Sequence, residues 1–88
     1  MSFYNIPIDY DLFIQFLKDE GFILEKGLVE YKVYKIIYKK KVEITTLPSI
    51  KNKNNVVFYD ILPYIERINR LYGNVLDNGE IINKCQKK

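Results

Sequence analysis

The chain contains no histidine and one cysteine, Cys85. Without histidine it lacks the side chain that most often serves as a general base near neutral pH, and also the commonest transition-metal ligand. One cysteine excludes an internal disulfide and suits a reducing compartment. Its neighbours Lys84, Gln86, Lys87 and Lys88 are polar, so the thiol is expected in solvent, neither buried nor catalytic. No glycine-rich phosphate loop is present, and no apolar run nears the ~20 residues of a membrane span. The first residues, Met1 to Asp11, lack the basic start and unbroken apolar core of a secretory signal. These absences point to a cytoplasmic protein with no membrane partner.

The acids make no recognisable catalytic pair either. Asp9 and Asp11 sit close together, but Asp9 reads as a helix cap and Asp11 as a first-turn acid favoured by the helix dipole. Asp19 and Glu20 flank the solvent side of a helix end. An all-oxygen metal site is the one arrangement open without histidine, and no set of acids gathers for it in the sequence. The expectation is therefore a non-enzyme with no catalytic residue, metal site or cofactor.

Eighty-eight residues, 48% apolar and 28% charged, fit one small globular domain. Eight tyrosines and five phenylalanines supply large core-forming side chains. The net charge of +3 is unevenly placed. Lys84, Lys87 and Lys88 hold three of the fourteen basic residues, which leaves residues 1–83 with eleven basic against eleven acidic side chains. The body is neutral, and residues 84–88 read as a basic mobile tail. Abundant Ile, Lys, Asn and Tyr have AT-rich codons, a bias of the source genome and an association with small mobile-element or viral proteins.

Asp9 is expected to cap a helix over 10–20, with Tyr10, Phe13, Phe16 and Leu17 on one stripe and Gly21 as its stop. Phe22 to Glu25 reads as a strand, with Lys26-Gly27 as a turn. Leu28 to Tyr38 is rich in Val, Ile and Tyr, the strongest strand signal. Lys39 to Lys41 would form the next turn and Val42 to Leu47 a third strand. Residues 48–55 are loop-like. Val56 to Tyr59 is either a fourth strand or the approach to a helix over 61–72, with Asp60 as cap and Pro63 in the first turn. Ile61, Tyr64, Ile65, Ile68, Leu71 and Tyr72 give that helix its apolar stripe. Asn78-Gly79 between Val75-Leu76 and Ile81-Ile82 predicts a type I′ hairpin. The fold expected is α+β: a single small domain over 1–83, an antiparallel three- to four-stranded sheet with two helices on one face, order α-β-β-β-(β)-α, and a short C-terminal hairpin.

The segment Glu30 to Ile44, EYKVYKIIYKKKVEI, interleaves tyrosine with lysine. In a straight strand each face mixes apolar and charged residues. A bulge near Tyr34 and Lys35 would repair this, turning Val29, Tyr31, Val33, Ile36 and Tyr38 to the core and Glu30, Lys32, Lys35 and Ile37 outward. Three readings compete: sheet-covering tyrosines with solubilising lysines, a base-stacking surface, or tyrosine anchors for a protein partner. The candidate binding residues are Lys32, Tyr34, Lys35, Lys39, Lys40, Lys41, Lys51 and Lys53. The last five would form one basic end of the sheet.

The helix–three-strand–helix order over about residues 10–72 resembles the double-stranded-RNA-binding fold and the small HicA-type toxins. The resemblance is one of architecture. Its chemistry does not carry over: HicA-type toxins use a strand histidine, and this chain has none. The RNA-binding domain's lysine cluster opening its second helix is replaced by Asp60-Ile61-Leu62-Pro63-Tyr64-Ile65. Arg67 and Arg70 alone could form a basic strip there, diluted by Glu66. The preferred expectation is a small protein-interaction module, of inhibitor or immunity type, that binds and blocks a partner protein. The alternative is a nucleic-acid-binding module using its lysine-rich loops. A monomer and a sheet-edge homodimer both fit.

Overall fold

The computed structural model describes residues 5–49, 55–73 and 75–87. Its elements are α1 (Tyr10–Asp19), β1 (Ile23–Lys26), β2 (Glu30–Ile37), β3 (Lys40–Pro48), α2 (Phe58–Tyr72) and α3 (Asn78–Cys85). The three strands form one antiparallel sheet in the order β1-β2-β3. The helices share one core with the inner face of that sheet, as the α+β expectation holds. Helix α1 lies against β1, α2 against β3, and α3 packs on α1.

Local chemistry explains the first two helices. The Asp9 carboxylate accepts from the Leu12 N–H at 3.2 Å, satisfying one of the free donors of a helix start. Tyr10, Phe13, Ile14, Phe16 and Leu17 then bury one stripe. The helix ends before Gly21, whose φ of 93° suits glycine best. Helix α2 begins three residues earlier than expected. Val57 is its N-cap position, and Asp60, in the third helical position, reaches back to accept from the Val57 N–H at 3.0 Å. Pro63 therefore sits in the second turn rather than the first, where it offers no N–H to the carbonyl four residues back. Ile61, Ile65 and Ile68 are buried, each within one helical turn of the next.

Residues 78–85 are helix, not hairpin. The Asp77 carboxylate accepts from the Gly79 N–H at 3.3 Å, so Asn78-Gly79 opens a helix instead of turning a strand. The helix places Ile81 and Cys85, four apart, on one buried face. Paired short arms would have sent Ile81 and Ile82 to opposite faces. Nor do residues 84–87 form a mobile tail. Lys84 and Cys85 close α3, and Gln86 bridges to Ile8. Cys85 is fully buried, contrary to expectation.

The lead-in to α1 joins distant parts of the chain. Ile8 N–H donates to Val56 C=O at 2.9 Å, and Phe58 N–H to Ile6 C=O at 2.9 Å. On the other side, Asp9 N–H donates to Cys85 C=O at 2.8 Å and Lys87 N–H to Pro7 C=O at 2.9 Å. Val56 to Tyr59 is thus no fourth strand of the sheet; it is one side of this small ladder and the start of α2.

The bulge is real, but it lies on β3. The register runs from Glu30 opposite Pro48 to Val33 opposite Thr45, and then resumes with Tyr34 opposite Glu43. Ile44 is the extra residue, and both Ile44 and Thr45 are buried. Strand β2 keeps its alternation. Val33 faces the core, with Leu24 and Thr45 beside it. The expected core positions Val29, Ile36 and Tyr38 are exposed instead.

The turn between β2 and β3 is Tyr38-Lys39, one position before the expected lysine triplet. Ile37 pairs with Lys40, and Tyr38 and Lys39 have φ of 50° and 67°. Two central residues with positive φ make the type I′ pattern, which favours Asn and Gly. For other residues this conformation costs about 1–2 kcal/mol apiece.

Candidate interaction surface

Antiparallel partners lie on the same face of a sheet, so the register defines the outer surface. It carries Ile23 and Glu25 from β1, Lys32, Tyr34 and Ile36 from β2, and Lys41, Glu43 and Thr46 from β3. No helix among the described residues packs on it. Tyr34 is at its centre, between Ile23 and Glu43.

A strap crosses this ring. Lys41 on β3 forms an ion pair with Glu25 on β1, reaching over the strand between them. Its Nζ lies 4.3 Å from the centroid of the Tyr34 ring, a cation–π contact. Each group titrates accordingly. The hydrogen bond from Lys41 holds the Glu25 carboxyl below the usual range, and the same bond holds the Lys41 ammonium above its own. Desolvation first, and then the Glu25 charge, raises the Tyr34 phenol. Lys32 stands nearby in the field of Glu25.

Lys35 faces the other way. Its Nζ donates to the Glu20 carbonyl at 3.1 Å and lies 4.5 Å from the centroid of Phe22. It caps the end of α1, where carbonyls lack partners and the dipole favours a cation. Lys35 is therefore no part of an outer lysine row, which corrects its expected outward position.

Lys39 and Lys40 are exposed at the tip of the β2–β3 hairpin. Lys51 and Lys53 lie outside the described residues. Ser49, the last described residue before them, stands at the far end of β3 from Lys39. Of the eight expected binding residues, the structure brings together Lys32, Tyr34 and Lys41 on the open face. It sets Lys39 and Lys40 at the tip and turns Lys35 inward.

Sequence reasoning missed the apolar half of the surface. Leu28 and Val29 stand out at the β1–β2 turn, with Leu28 fully exposed. Ile36 is 51% exposed and Tyr38 94%. The spacing carried a signal for Ile36: an unbroken alternation puts it with Tyr34 and opposite Val33. Arg67 and Arg70 line a shallow groove of about 480 Å³ along α2, with Glu66, Pro63 and Leu71. They do not join the lysines of the sheet.

Among the described residues, no three His, Cys, Asp or Glu side chains gather as a metal-ligand group. No described helix is long and apolar enough to cross a membrane. No protein-family model, curated protein or solved structure matches the chain. The resemblance to RNA-binding domains and HicA-type toxins rests on element order alone.

Proposed function

We propose that this protein is a small, non-enzymatic interaction module of the cytoplasm, of inhibitor or immunity type, which binds and blocks a partner protein through the open face of its sheet. One observation carries this reading. The open face exposes Ile36, and the turns at its two ends expose Leu28, Val29 and Tyr38, while Lys35 on β2 and Lys41 on β3 turn to partners within the molecule. Exposed apolar area beside a central tyrosine suits a protein interface. Phosphate contact needs cations that are free to meet it.

The module acts as a monomer. Strand β1 has four residues, and the edge strand β3 carries Lys40, Lys41 and a bulge. All three features discourage strand addition.

Fluorescence anisotropy with labelled duplex RNA, duplex DNA and single strands tests the reading. Little binding is expected even at low salt. Micromolar binding with a steep salt slope, lost in the Lys39→Glu/Lys40→Glu variant, would overturn it in favour of a nucleic-acid module. Affinity capture from source cells supplies the positive arm: a protein held by the wild type and released by Ile36→Glu is expected.

A further inference from the structure

The β2–β3 hairpin is an arm. Pairing with β1 ends at Ile23 opposite Tyr34, so Lys35 to Ile37 and their partners Lys40 to Val42 extend beyond the third strand. At its tip, Tyr38 and Lys39 hold the left-handed backbone that Asn-Gly would adopt without strain. The Tyr38 side chain, 94% exposed, makes no ring contact or hydrogen bond among the described residues. No contact among the described residues offsets the strain of a tyrosine there. Strain at an exposed position points to an external contact.

Charge defines that contact. Of the four lysines on the arm, Lys35 is held by α1 and Lys41 by Glu25. Lys39 and Lys40 follow Tyr38 in the chain, are exposed, and form no ion pair among the described residues. The acid nearest the tip along β3 is Glu43, back at the level of Tyr34. Ile36 on one face and Val42 on the other add exposed apolar surface. A phosphate backbone would need a longer row of free cations and would gain nothing from Ile36 or Val42. An acidic cleft with an apolar floor matches all of these features.

We infer that the arm is a plug: Tyr38 enters a pocket of a partner protein whose rim is acidic, with Lys39 and Lys40 facing that rim. This deepens the proposed function and rests on it.

The test uses the full chain and a displayed library of disulfide-constrained peptides of about twelve residues. The key variant is Tyr38→Asn/Lys39→Gly, which removes the ring and relieves the turn. Its melting temperature is expected to rise, so lost binding cannot be ascribed to misfolding. Selected peptides are expected to combine Asp or Glu with an aromatic or aliphatic residue. They should bind the wild type at least about ten-fold more tightly than this variant or Lys39→Glu/Lys40→Glu, and more weakly as salt rises. Peptides that bind the tip variant equally but are lost in Ile36→Glu would sink the plug and leave the open-face reading intact. Peptides without acidic bias would also sink it. Binding of an oligothymidylate in place of peptides, lost in the tip variant, would replace the protein partner with nucleic acid. A library that yields no binder would overturn both readings.

Discussion

Asn69 holds the connection between α2 and α3 with both ends of its amide. Its Nδ2 donates to the Leu76 carbonyl at 2.9 Å, and its Oδ1 accepts from the Leu76 N–H at 2.8 Å. Leu76 is buried, so neither backbone group has water at hand. Asn69→Ala should destabilise the protein by about 2–3 kcal/mol, read from urea unfolding, because two shielded groups lose their partners at once. Cys85 gives a pH signature. Burial, helped by the Asp9 charge, pushes its thiol up to about 11 from an ordinary 9.0. Between those values the unfolded chain releases the proton and the folded chain keeps it. Stability is therefore full below pH 9 and falls as pH rises toward 11, with a slope approaching 1.4 kcal/mol per pH unit. Burial also raises the Tyr10 phenol, whose hydroxyl donates to Pro48 C=O at 2.6 Å; its contribution starts to fall above pH 10 in the same direction. Urea midpoints from pH 8 to 10 should decline in the wild type, and the decline between 9 and 10 should flatten in Cys85→Ala. An unchanged decline in that variant would assign it elsewhere.

At the scale of elements, α3 separates a tail from a structural part. Deleting residues 84–88 should be harmless if they were a mobile end. The structure gives the opposite outcome, since the deletion removes buried Cys85 and the bonds of Asp9 and Lys87 in the ladder. A marked fall in melting temperature is expected by calorimetry. Gly27 makes a similar case in the β1–β2 turn. A Cβ there would lie 2.9 Å from the Glu30 carbonyl oxygen, a backbone atom that cannot swing aside. Gly27→Ala should cost about 1–3 kcal/mol, as overpacking does, measured against an alanine placed at exposed Leu12. The two long helices were legible because caps and stripes are local. Helix α3 is hidden because Asn-Gly is also a local signal, and it points to a hairpin. The Asp77-x-x-Glu80 spacing ahead of Ile81 and Cys85 was the competing helix signal. A bulge is expected on β2 because an unbroken strand puts Lys35 on a core face. Its partner, the Glu20 carbonyl, is fifteen residues away, and no pattern within the strand reveals it.

For the whole molecule, the candidate surface was legible only in part. Residue types marked Tyr34 and the lysines, but occupancy decides their roles, and occupancy is a tertiary property. Lys35 and Lys41 are held by partners on other elements, whereas Ile36 and Tyr38 are exposed because no third strand or helix among the described residues covers them. The Cα radius of gyration is 12.8 Å, with extents of 42 × 29 × 19 Å. A compact chain of this length would give about 12 Å, and the projecting arm fits the slight excess. Small-angle scattering at micromolar concentration should report a monomeric mass with a radius a little above the Cα value. A doubled mass would point to edge pairing instead.

The ladder at the start of α1 fixes where the described chain enters and leaves. Ile8 and Gln86 are antiparallel neighbours, so the first and last described segments run side by side. Paired strands stand about 5 Å apart. A surface loop of a host protein with ends that close could accept the whole fold as an insertion, as it would a single hairpin. The described fold thus begins and ends at one place, the geometry that insertion into a host loop tolerates.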